Sequence, residues 1–194
     1  MDPLQIVEAS AVALNITYVI LAVKEKTLCW PFGILASLIS IWLFIQIGLF
    51  AEAILFIYYV LMGLYGWWSW SQGRKEGGEL DIRTWKYPRH LAIILTGILF
   101  SFLLGTTLSE WTTAQSPYFD SFTTVFSFIA TWLTARKLLE NWIYWIVIDL
   151  ATIFLYASKE IFLYAGLSLI YTFMAIYGLI EWRKKLQSLS VPQS

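Results

Sequence analysis

Charge is what this chain has least of. Asp, Glu, Lys and Arg make up 13% of its 194 residues, against about a quarter in a soluble domain, so the sequence cannot build an ordinary water-facing surface. Formal net charge is zero, and no basic face offers itself to nucleic acid. Cys29 is the one cysteine, which excludes a disulfide framework and a cysteine metal cluster and leaves a small packing residue. His90 is the one histidine. It cannot form a multi-His metal site, and its place beside Arg89 at a loop edge suits an interfacial role. The start, Met1-Asp2-Pro3 with Glu8 close behind, lacks the basic region of a cleavable signal peptide, and none is expected.

What is there is apolar and aromatic: 59% hydrophobic residues, 18% Phe, Trp and Tyr, and a mean hydropathy of +0.67. A membrane-spanning helix needs roughly 20 apolar residues. Seven runs qualify, at 4–23, 31–49, 51–70, 91–108, 120–135, 141–157 and 161–182. Only Gly48-Leu49-Phe50 parts the second from the third, and only Ser158-Lys159-Glu160 the sixth from the seventh. Forty apolar residues exceed any bilayer, so each pair must turn back. With the N-terminus outside, the inner loops collect Lys24, Lys26, Arg74, Lys75, Arg83, Lys86, Arg89, Arg136, Lys137, Arg183, Lys184 and Lys185. Only Lys159 lies opposite, a distribution that predicts seven spans with the C-terminus inside. The polar stretch 71–90 reads as a flexible inner tether.

The chain matches itself at a constant offset of 112 residues. Lys24 falls on Arg136, Trp30 on Trp142, Phe44 on Tyr156, Phe50 on Phe162 and Tyr59 on Tyr171. Leu64-Tyr65-Gly66 with Trp70 falls on Ile176-Tyr177-Gly178 with Trp182. Residues 6–70 thus correspond to 118–182. The expected division is a first three-helix repeat over 1–70, an inner loop, linker helix and outer loop over 71–117, a second repeat over 118–184, and a tail over 185–194. Three helices is an odd number, so the linker helix must cross once more for both copies to run the same way. The predicted fold is an all-α membrane protein of seven transmembrane helices in a 3+1+3 arrangement of parallel repeats. Such repeats are a transporter architecture with the ligand near the midplane between the halves.

Glu8, Glu52, Glu110, Asp120, Glu140 and Glu160 all lie near span ends. Asp149 falls in the middle of the sixth span, where a carboxylate costs about 2.5–3.5 kcal/mol on insertion scales and marks a functional site by default. Trp142, Trp145 and Asp149 are spaced i, i+3, i+7 and share a helix face. Two indoles and a carboxylate suit a flat cationic heteroaromatic ring, through stacking, cation–π attraction and charge balance. The bland alternative pairs Asp149 with a Tyr or Ser of another helix and packs the indoles on lipid. The matching face of the first repeat, Trp30, Gly33 and Ser37, is smaller and uncharged, which predicts an asymmetric site. Asn141, Tyr65 and Tyr171 are expected to assist. Asn15, Ser40, Gln46, Ser127, Thr131 and Thr152 also lie within spans, and helix-to-helix bonding is their commoner fate.

Trp30-Pro31-Phe32-Gly33, Gly63-Leu64-Tyr65-Gly66-Trp67-Trp68-Ser69-Trp70, Asp120-Ser121 and Glu140-Asn141-Trp142 with Trp145 resemble the PnuC family of bacterial vitamin carriers over nearly the whole chain. The resemblance implies a SWEET-like fold in the bacterial cytoplasmic (inner) membrane. It implies facilitated diffusion of an unphosphorylated vitamin, trapped by a cytoplasmic kinase, with no enzymatic activity, cofactor or metal. Nicotinamide riboside carriers of the family typically have Asn where this chain has Asp149 and Gln where it has Phe56. A carboxylate suits the aminopyrimidine and thiazolium of thiamine, so the PnuT-like thiamine branch is expected first, nicotinamide riboside close behind, and neutral riboflavin last. A homo-oligomer stays open.

Three rival classes find no support in the residues. A retinal protein needs a Lys in the last span, and 161–182 holds none. An intramembrane Ser/His hydrolase needs a His within a span. A channel needs a ring of charge or a carbonyl filter.

Overall fold

A computed structural model describes residues 3–46, 50–75, 81–111, 116–158, 160 and 162–190. They form seven helices: α1 (Pro3–Val23), α2 (Cys29–Gln46), α3 (Phe50–Lys75), α4 (Tyr87–Trp111), α5 (Pro117–Ala135), α6 (Asn141–Ser158) and α7 (Phe162–Ser190). At 1.5 Å per residue, each is long enough to approach or exceed the ~30 Å hydrocarbon thickness. Starts and stops follow local chemistry. Pro31, Pro88 and Pro117 sit in first turns, where a missing N–H costs nothing. Glu25 after α1, Lys137 after α5 and Glu160 after α6 take positive φ of 55°, 52° and 60°, the left-handed stop that ends many helices.

Several helices outrun the apolar stretches that announce them. α3 continues through Lys75 and α7 through Ser190, because backbone hydrogen bonding does not end where hydropathy does. Residues 47–49, where the sequence predicts a reversal, and Lys159 lie outside the described residues. Six of the helices are long and apolar enough to cross a membrane: α1, α2, α3, α4, α6 and α7. α5 is the exception. It carries Asp120, Ser121, Thr123, Thr124, Ser127, Thr131 and Thr134, and it is also the helix with the longest set of buried residues. It packs against α3, α4 and α6, so its polar side chains meet protein and not lipid.

The packing order is α1 on α2 on α3, and α5 on α6 on α7, with α4 against α5. The two sets meet through α3 with α5 and α1 with α7. Contacts recur at the 112-residue offset. Trp30 meets Trp70 edge-on at 5.4 Å and 88°, and Trp142 meets Trp182 at 5.3 Å and 87°. Trp70 Nε1 donates to the Thr134 carbonyl at 3.3 Å; Trp182 Nε1 donates to the Ala22 carbonyl at 3.2 Å. The Tyr-Gly-x-x-x-Trp ending has a steric reason: a Cβ on Gly66 would lie 2.3 Å from the Trp30 ring, and one on Gly178 2.7 Å from the Trp142 ring. Each glycine lets an indole lie directly on the backbone of the third helix of its set.

The stretch before α4 is more than a tether. Residues 71–75 continue α3 and 76–80 lie outside the described residues. Ile82 is buried, and Arg83 is stitched to the α5–α6 turn: its N–H donates to the Lys137 carbonyl at 3.0 Å, and its carbonyl accepts from Leu139 N–H at 2.8 Å. Trp85 N–H donates to Glu140 Oε1, and the Trp85 ring lies under the Arg89 and Arg136 guanidinium groups. Apolar anchors and free backbone groups, not the net charge, decide this segment. His90 is held there as well, with Nδ1 3.1 Å from the Tyr144 hydroxyl and Nε2 3.6 Å from Glu140 Oε1.

Candidate functional site

Two adjoining cavities lie between the helix sets. The first, about 590 Å³, is lined by Asn15, Tyr18 and Val19 of α1, Thr134 of α5, Trp142, Trp145 and Asp149 of α6, and Tyr171 and Ala175 of α7, among others. The second, about 760 Å³, is lined by Asn15 and Tyr18, by Trp30, Gly33 and Ser37 of α2, by Phe56, Tyr59 and Gly63 of α3, and by Thr131 and Trp145. Asn15, Tyr18 and Trp145 border both.

The linings correspond through the 112-residue offset: Trp30 with Trp142, Gly33 with Trp145, Ser37 with Asp149, Tyr59 with Tyr171, Gly63 with Ala175. Within that pairing the chemistry diverges. Where α6 carries the Trp145 indole, α2 carries Gly33, and a Cβ there would stand 2.9 Å from the Tyr18 ring. Tyr18 occupies the room that the glycine leaves. Where α2 has a hydroxyl at Ser37, bonded back to the Gly33 carbonyl at 2.8 Å, α6 has the Asp149 carboxylate.

Trp142, Trp145, Asp149 and Tyr171 come together on the first cavity, and Trp30 and Ser37 on the second. Asp149 makes no hydrogen bond or ion pair among the described residues, so the bland pairing with a Tyr or Ser is not found. Trp142 is 3% exposed and forms a floor, edge-on to Trp182. Trp145 is the more open of the two indoles. The Nε1–H groups of Trp30 and Trp142 are buried without an acceptor among the described residues, an uncommon state for a buried donor.

Two expected residues lie elsewhere. Tyr65 borders neither cavity; it packs on the tryptophan cluster and on Trp68 at 6.0 Å. Asn141 is fully buried and acts as a tie. Its Nδ2 donates to the Leu138 carbonyl at 2.6 Å, and its Oδ1 accepts from the Thr134 hydroxyl at 3.0 Å. Thr134 Oγ1 in turn faces Trp145 Nε1 at 3.4 Å, so Asn141 reaches the cavity through the orientation of Trp145. Sequence reading passed over Tyr18 and Thr134. The missing bulk at Gly33, set against Trp145, was the signal for Tyr18.

A bundle of apolar helices enclosing an aromatic cavity with one unpaired carboxylate is the interior of a small-molecule membrane carrier. The profile of the family described as nicotinamide mononucleotide transporter matches residues 5–184, and the chain belongs to that family, the PnuC family of vitamin-type membrane transporters. It is 26% identical over 201 aligned residues to the nicotinamide riboside transporter PnuC of Escherichia coli (strain K12), covering 91% of this chain and 84% of that protein. Identity and coverage are the same for the Shigella flexneri protein of that name. It is 21% identical over 124 residues to the riboflavin/roseoflavin transporter RibM of Streptomyces davaonensis, covering 62% of this chain and 58% of that one. A crystal structure of the vitamin B3 transporter PnuC superposes with a TM-score of 0.77 at 21% identity, over 96% of this chain and 84% of that one. The fold is therefore shared.

Proposed function

We propose that the protein is a facilitated-diffusion carrier for a flat, cationic heteroaromatic vitamin, with nicotinamide riboside as its substrate. The observation that carries the cationic heteroaromatic class is Asp149, an unpaired carboxylate at the wall of an aromatic cavity inside the helix bundle; nicotinamide riboside carriers typically have Asn here, so the choice of vitamin within that class rests on the relatives. The pyridinium of nicotinamide riboside brings the opposite charge and a ring that stacks on Trp145 or Tyr171. Ser37 and Asn15 offer hydroxyl and amide partners to the ribose. The two PnuC relatives named for nicotinamide riboside, similar over 91% of the chain, support this substrate over thiamine, which ranked first on the residues alone.

Thiamine is the second reading, and Asp149 favours it too, because an aminopyrimidine donates to a carboxylate. α5 is the seventh span, shielded from lipid by its neighbours, and the helices form parallel 3+1+3 repeats. The Lys- and Arg-rich end of the bundle faces the cytoplasm of a bacterial cell. An intracellular kinase acts as the sink. Equilibrium binding of the purified protein to nicotinamide riboside, thiamine and riboflavin in parallel tests the assignment. Nicotinamide riboside should bind most tightly. Tighter thiamine binding reverses the order of the two readings, and a preference for riboflavin defeats both.

A further inference from the structure

Below the first cavity, toward the end of the bundle rich in Lys and Arg, two layers close the path. The first is aromatic: Trp70 and Trp182, with centroids 6.1 Å apart, flanked by Trp30 and Trp142. The second is ionic. Glu25 follows α1 and Lys137 follows α5, and the two are separated by 112 residues. They are equivalent positions of the two helix sets, both held at positive φ, yet they carry opposite charge. Lys137 Nζ meets Glu25 Oε2 at 3.0 Å, with the two side chains 2% and 7% exposed. Lys137 Nζ also stands 4.7 Å from the Trp70 ring centroid. The other Glu25 oxygen takes Lys185 Nζ, from the half-exposed end of α7, at 2.9 Å. At the opposite end the way is open. Asn15, Phe56 and Tyr171 lead from the two cavities into a third of about 1020 Å³, bordered by Gln5, Glu8, Phe44 and Tyr164 at the start of α1 and α7 and the end of α2.

We propose that the Glu25–Lys137 pair is the gate through which ligand leaves toward the Lys- and Arg-rich end, and that it parts once per transport cycle. A buried ion pair is a poor choice as mere packing, since well-fitted apolar side chains of similar volume are often as stable or more so. As a latch it has an advantage. It sits at a bundle end, where water can solvate each charge when the helix sets separate, so opening wets ions and not apolar surface. Lys185 keeps a partner for Glu25 while Lys137 moves away. Equivalent positions carrying opposite signs place the contact where the two sets must separate.

The inference rests on the carrier reading and on no choice of substrate, and its test needs no ligand. Cys29, the one cysteine of the chain, is fully buried, begins α2 just after the Glu25 turn and lies within electrostatic reach of Lys137. Alkylation of Cys29 by a small maleimide, followed on the full-length protein in lipid nanodiscs, reports opening of this end. The wild type should label slowly. Glu25→Gln/Lys137→Gln should label at least about tenfold faster, the change in open population that removal of a state-selective contact produces. Lys137→Arg, which keeps the pair, should label at the wild-type rate.

Gly105→Ala is the control for general loosening. Its Cβ would meet the Tyr118 ring at 2.5 Å at the far end of the bundle; it should lower Tm without speeding the label. If the double variant does not fold, Lys137→Gln alone carries the test, since Glu25 keeps Lys185 at 2.9 Å and no buried charge is left unpaired. A folded variant lacking the pair that labels like the wild type overturns the proposal. So does a Gly105→Ala protein that labels as fast as the double variant.

Discussion

At the scale of single residues, the proposal places the recognition chemistry on Asp149. Asp149→Asn keeps the shape of the cavity and removes the charge, and a hydrogen bond to a charged group contributes about 1.5–3 kcal/mol. Thiamine binding should therefore weaken by about tenfold or more, measured by titration calorimetry with Tm unchanged or raised, while nicotinamide riboside, whose carriers typically have Asn here, should bind the variant more tightly. Unchanged affinity in the folded variant would make Asp149 a structural residue. The glycines under the indoles make a second, purely steric case. Gly178→Ala drives a methyl into the Trp142 ring, and overpacking of this kind costs about 1–3 kcal/mol. Gly166→Ala meets nothing within 4 Å and should be neutral. If thermal unfolding shifts equally in both variants, the indole–glycine contact is not what holds α6 on α7. Trp142, Trp145 and Asp149 were legible as one face because i, i+3, i+7 spacing fixes direction on a helix. Asn141 was not, because a polar residue at a helix start looks the same whether it faces a cavity or ties a turn. Its bonds to Thr134 and Leu138 come from chain that folds back from α5.

At the scale of elements, hydropathy located six helices well and α5 least well. α5 has the most polar side chains facing protein, and a lipid-transfer scale penalises residues that never meet lipid. The apolar run at 120–135 was nonetheless visible, and the alternation of Lys and Arg supports a crossing there. That crossing can be measured. In a Cys29→Ser background, Ser116→Cys should react with a membrane-impermeant thiol reagent added outside intact cells, and Arg136→Cys only after the membrane is opened. Reaction of both from one side would show that α5 does not cross. Helix ends were legible only to within the hydrophobic thickness, so the final turns of α3 and α7, which stand beyond it, were missed. The segment before α4 was misjudged for a related reason. Its Gly and mixed charges suggest a tether, while Ile82 and the Arg83 backbone, which pair with the turn at Lys137 and Leu139, could not be read from composition.

At the scale of the whole molecule, the 112-residue offset is the feature that ties sequence to mechanism. It was readable because the tryptophans and glycines that make equivalent contacts cannot drift without clashing. It also displayed part of the divergence it contains, Gly33 against Trp145 and Ser37 against Asp149, but not the pairing of Glu25 with Lys137. These differences give one set of helices the charge-bearing wall and let two like surfaces pair through unlike charges. Under the proposed reading this carrier needs no ion gradient. No second intramembrane acid or acid–base relay lines the two cavities, and such groups are what proton-driven transporters display. The most direct measurement is uptake of radiolabelled nicotinamide riboside, with thiamine in a parallel arm, into kinase-free proteoliposomes holding the purified protein. One of these vitamins should enter until internal and external concentrations are equal and go no further, with or without an imposed proton or sodium gradient. Accumulation driven by either gradient, or no protein-dependent entry of either vitamin, would contradict a facilitated-diffusion vitamin carrier.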